Sequence, residues 1–192
     1  MAATVVDPRA PMSSAPMKFS ADGQVDWGNM WDSFCVLAQA GGPPHRGTRL
    51  APNAVPDAAD PNYVWASTEI SRGITAVSGL SVRPAGPGWL AVECGSAGMA
   101  RWLADAIEAE NVAARAEGQH LWLPVDGNFR LDGEIKNVIT VVAKTTHYWQ
   151  QHLPDEAKQT LAAEALLRDW WAGLRQRLAG LRRSSKGTSA HA

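Results

Sequence analysis

The sequence predicts an α+β domain: a largely antiparallel four-stranded sheet with helices packed on one face. Three observations lead there. The middle of the chain twice runs through two short apolar stretches split by a Gly-containing turn, followed by a helical stretch, which gives the order ββαββα. On either side of that core, apolar residues recur three and four apart, the period of an amphipathic helix. The composition, 45% hydrophobic and 19% charged over 192 residues, is that of a globular chain with room for one ordinary core.

Each element has its own signal. Residues 1–22, with Pro8, Pro11 and Pro16, have little to bury and are expected to be a tail; 23–183 form the domain, and 184–192 a second tail. A first helix is expected from Asp26 to Ala40, with Trp27, Met30, Trp31, Phe34, Leu37 and Ala38 on one stripe and Gly41-Gly42 as its stop. Residues 41–60 are rich in Pro and Gly, a long loop of the kind that usually carries function or is disordered. A second helix starts at Asp60-Pro61, an N-cap followed by Pro at the first helical position. It presents Tyr63, Ala66, Ile70, Ile74 and Val77 on one face and ends at Gly79.

The repeat follows. Leu80–Pro84 and Trp89–Cys94 flank Ala85-Gly86-Pro87-Gly88 and feed a helix from Ala97 to Glu110. Val112–Arg115 and His120–Val125 flank Glu117-Gly118 and feed a helix from Glu134 to Leu153. A last, long helix starts at Pro154 with Asp155 and Glu156 in its first turn, where acids suit the macrodipole. Its Leu167, Trp171, Leu174, Leu178 and Leu181 alternate four and three apart, and arginines crowd its end.

Composition excludes several functional classes. A net charge of -1 gives no electrostatic case for nucleic acid. Cys35 and Cys94 lie in no CxxC or Cys/His spacing, so neither a metal site nor a disulfide framework is indicated, and no motif points to a cofactor. The start of the chain lacks the pattern of a signal peptide, and no run of eighteen apolar residues occurs. The expected setting is cytoplasmic. Nine tryptophans are the compositional oddity, and because an indole N–H needs a partner, some are expected to line a groove or interface.

No motif fixes a reaction class, so function rests on a few constellations. On the Glu134–Leu153 helix, Lys136, Asn137, Thr140, Lys144, His147 and Gln151 fall in one sector. That sector is either a solvated face or a binding face. It holds two lysines, a histidine and no carboxylate, a set suited to phosphate or carboxylate. The loop Gly41–Arg49 adds His45, Arg46 and Arg49 on a backbone stiffened by Pro43-Pro44. At Cys94-Gly95-Ser96 a strand turns into a helix. Ser96 suits an N-cap beside an anion cradle, and Cys94 is either a buried hydrophobe or a thiol activated by the helix terminus. Glu110 falls on the apolar side of its helix, expected to reach water by fraying and otherwise a buried acid.

Three functions are consistent with these residues. One is a binding or accessory protein holding an anionic small molecule between the His45–Arg49 loop and the Lys136–Gln151 face. The second is a small enzyme in the same pocket, with His147 or His45 as general base. The third is a subunit that docks on a partner, or on its own copy, through tryptophans and the stripe that starts at Leu167.

Overall fold

The computed structural model describes residues 17–30, 49–53, 57–168 and 170. The fold is α+β. Four strands, β1 (Val82–Pro84), β2 (Trp89–Glu93), β3 (Arg115–Glu117) and β4 (His120–Pro124), form one antiparallel sheet in the order β1-β2-β4-β3. Helix α1 spans Pro61–Ser78, α2 Ala97–Ala109 and α3 Lys136–His147, and residues 155–168 form α4. The chain order is therefore the expected ββαββα, preceded by α1 and followed by α4.

Local chemistry sets the boundaries. The Asp60 carboxylate accepts from Asn62 N at 2.9 Å, Pro61 opens α1, and Gly79 closes it at φ 72° while its N–H reaches Thr75 O at 2.9 Å. Gly86 and Gly88 take the positive φ values, 122° and 84°, that turn β1 into β2. Strand β3 lies later than expected. Val112 instead makes a parallel bridge with Leu50, so the foot of the long loop occupies that register.

Alternation divides the sheet into two faces. Leu90 and Val92 of β2 pair with Leu123 and Leu121 of β4, and all four are fully buried under the helices. On the opposite face Trp89 and Trp122 flank Arg115, whose guanidinium carbon lies 4.7 and 4.3 Å from their ring centres. The helices pack closely among themselves. A Cβ on Gly73 of α1 would collide with the Ile139 side chain of α3, and one on Gly98 would lie 2.6 Å from Ala162 Cα in α4.

Two expectations about the first part of the chain change. Residues 17–22, expected to be tail, form a small hairpin in which Phe19 bridges Val25 and Met17 packs on the core. Trp27 and Met30 are buried as the stripe requires, but the described backbone there is a 3-10 turn, Gly28–Met30. Trp31, Phe34, Cys35, Leu37 and Ala38 lie outside the described residues. The Trp27 indole N–H donates to Glu69 at 2.8 Å, and Arg72 holds the same carboxylate at 2.6 Å, so this deeply buried tryptophan has its partner.

Beyond the foot of the long loop, Asn53 meets the buried Asp126, whose carboxylate is held by asparagines. Its carboxylate accepts from the backbone and side-chain nitrogens of Asn53 and Asn128, at 3.0 to 3.1 Å. A buried carboxylate is costly unless it is hydrogen-bonded, and this one is. It ties residue 53 to the connection leading from β4 into α3.

A polar stripe inside the helical layer

Helix α3 is the central helix. Ten of its twelve residues are buried, among them Lys136, Asn137 and Thr140, so the first half of its polar sector is not a solvated face; Lys144 and His147 are half-buried and Gln151 is exposed. The opposite face carries the aliphatic residues expected there: Val138, Ile139 and Val142 are completely buried. On the polar side Lys136 is 2% exposed, Asn137 7% and Thr140 1%. Thr140 Oγ1 donates back to Lys136 O at 2.6 Å, which satisfies the hydroxyl within the helix.

The helix is entered through a distorted turn, Leu131–Ile135, in which Asp132 and Gly133 depart from helical geometry. Glu134 reaches back to accept from Arg130 N at 2.9 Å; burial raises its pKa, but the Arg130 contacts outweigh this and leave it lowered. That turn also places Asp132 one helical step before Lys136. The Lys136 ammonium donates to Asp132 Oδ1 at 3.1 Å, a pairing in which the lysine is 2% exposed and the aspartate 74%.

Lys144 is also paired. Glu110, the C-cap of α2, has its side chain 12% exposed and binds the Lys144 ammonium. Glu110 therefore does not reach water by fraying, and the stripe is not free of carboxylates. The sequence hides both facts, because Glu110 lies thirty-four residues from Lys144 and Asp132 lies before the regular helix. Two residues before Glu110, Glu108 receives Arg49 at 2.5 Å and Ala114 N at 2.9 Å. The foot of the long loop and the α3 stripe thus meet the same end of α2. His45 and Arg46 lie outside the described residues.

His147, the last residue of α3, faces His152 across a π-turn, Tyr148–His152. Their Nε2 atoms are 3.3 Å apart and their ring centres 5.1 Å. Burial, then the charge of His152, pull the His147 pKa below its ordinary value. Tyr148 stacks on Trp102 at 5.9 Å, and Trp149, anchored in the core, packs on Trp102 at 5.6 Å. The His147–His152 pair was not visible in the sequence. On a 100° wheel, residues five apart point in different directions, and only the wider π-turn aligns them.

At the start of α2, Ser96 Oγ accepts from Met99 N at 3.1 Å, the expected N-cap. Cys94 is buried at 2% exposure, and burial pushes its thiol up to about 12. Burial supports the alternative in which Cys94 packs as a small hydrophobe.

A shallow groove of about 340 Å³ lies between α1 and the β1–β2 turn, lined by Tyr63, Val64, Ser67, Thr68, Pro84 and Pro87 among others. It holds no charged side chain, so it does not suit an anion. Among the described residues no helix is long and apolar enough to cross a membrane. No protein-family model matches the chain, and no curated protein matches it.

Proposed function

We propose that the chain is a small-molecule-binding or accessory protein that holds a phosphate- or carboxylate-bearing ligand against the polar stripe of α3. The observation that carries this reading is Lys136: an ammonium 2% exposed, with buried Asn137 and Thr140 beside it, on a helix where aliphatic residues would pack at less cost. Asp132, which pairs with it, is itself 74% exposed. Asp132 pairs with the ammonium as a ligand oxygen would, and when it swings into water an anionic ligand oxygen takes its place beside the buried Lys136 charge. Lys144 and Glu110 continue the stripe and fix its far end.

Competition between Asp132 and the ligand gives the test. Titration with inorganic phosphate and with succinate, followed by tryptophan fluorescence and calorimetry, should show saturable binding. Asp132→Asn removes the competing charge and should tighten it, whereas Lys136→Met should weaken it at least tenfold, about 1.4 kcal/mol. Equal affinities in all three proteins would make the stripe a purely structural feature.

A second reading, a subunit that docks on a partner, is favoured by a separate observation: Leu166, Leu167 and Trp170 are 65%, 60% and 59% exposed. An enzyme with His147 as general base has less support, because His147 Nε2 already faces another imidazole.

A further inference from the structure

We propose that His147 and His152 form a binding site for a divalent transition-metal ion of the class that prefers imidazole, such as Ni²⁺, Cu²⁺ or Zn²⁺. The geometry is specific. Two imidazole nitrogens bound to one Zn²⁺ at about 2.0–2.1 Å, with a tetrahedral angle between them, stand about 3.3–3.4 Å apart. The right angle that Ni²⁺ and Cu²⁺ prefer brings them to about 2.9 Å, a small closing that the exposed His152 ring can make. The two Nε2 atoms stand 3.3 Å apart. Without metal that distance is an N–H···N hydrogen bond between the rings, and an ion bound there takes the place of the shared hydrogen.

The pair is held by its surroundings. Leu153 N closes the π-turn on Tyr148 O at 3.1 Å, and Trp149, 7% exposed, pins the middle of that turn to the core. The Tyr148 ring lies 5.5 Å from that of His152 and is backed by Trp102. Ligands fixed on packed elements spend little ordering entropy on binding. His152 is exposed, so the site opens to solvent. Among the described residues no third His, Cys, Asp or Glu completes a metal-binding group, so the two imidazoles are the ligands that the site is argued from. The site is separate from the Lys136–Asp132 pair, and neither reading depends on the other.

The probes are NiCl₂, ZnCl₂, CuCl₂ and MgCl₂ added to the full chain, followed by calorimetry and by quenching of the nearby tryptophans. One equivalent should bind, Cu²⁺ tighter than Ni²⁺ or Zn²⁺, with no uptake of Mg²⁺. His147→Gln and His152→Gln should each weaken Ni²⁺ binding at least about tenfold. His120→Gln, on β4, and Lys136→Met should leave it unchanged. Because His152 is exposed, its variant keeps the test decisive even if His147→Gln fails to fold. No uptake of Ni²⁺ or Zn²⁺, or full Ni²⁺ affinity retained in His152→Gln, would overturn the proposal.

Discussion

At Cys94 two rules of thiol chemistry pull in opposite directions. A helix start lowers a thiol pKa, and burial raises it. Here α2 begins three residues on, but the sulfur sits among core residues and its weak hydrogen bond goes to Val92 O at 3.8 Å. Burial dominates. In a Cys35→Ser background, which leaves Cys94 as the only thiol, alkylation by iodoacetamide at pH 8 should be negligible in the folded protein and complete in denaturant. The sign of the linkage follows. The folded thiol titrates above the unfolded value of 9.0, so stability is unaffected below pH 9, falls as pH rises above it, and levels off at about 12. Rapid modification of the native protein at pH 8 would mean that the strand end opens far more readily than its burial implies. The polar residues of α3 carry a related lesson. Their common face is legible in the sequence because helical period alone determines it, yet period does not say which way a face points. Lys136 and Thr140 are buried, and burial is a fact of tertiary packing that period does not encode.

Among the elements, those closed by local chemistry are the legible ones. Asp60-Pro61 and Gly79 bracket α1 within a residue, and the glycine turn between β1 and β2 fixes their pairing of Val82 with Val92. Where distant chain intervenes, the sequence misleads. Val112 has the composition of a strand residue but bridges Leu50 rather than β4. The π-turns at both ends of α3 have no signal in an ideal period. The contact between α2 and α4 is also long-range, and it depends on one missing side chain. Gly98 lies against the backbone of Leu161 and Ala162, atoms that cannot rotate aside as a flexible side chain would. Gly98→Ala should therefore push α4 outward and cost about 1–3 kcal/mol, although alanine favours helix. Hydrogen exchange should show lost protection concentrated in residues 155–168. A melting temperature equal to that of the parent would show that α4 is not held through this crossing.

For the whole molecule, the question is where the apolar surface ends. Ala165 of α4 is buried at 4% exposure and Leu161 packs on the core, so one side of the helix is spent on its own domain. Leu166, Leu167 and Trp170 face away. Leu167 is also the first member of the four-three stripe in the sequence; Trp171, Leu174, Leu178 and Leu181 lie outside the described residues. A stripe with that spacing is matched best by a second helix carrying the same spacing, and a second copy of this chain supplies one. We therefore expect association that grows with protein concentration, measured by sedimentation or by light scattering after gel filtration. Replacing Leu166 and Leu167 with Glu should shift the chain to monomer. Because both side chains are largely exposed, the melting temperature of that monomer should change little, with less than about 0.5 kcal/mol lost per site. A parent chain that stays monomeric across the whole concentration range would rule out pairing of like copies through this helix. It would leave a different partner as the only docking reading, to be judged against the ligand titrations at Lys136.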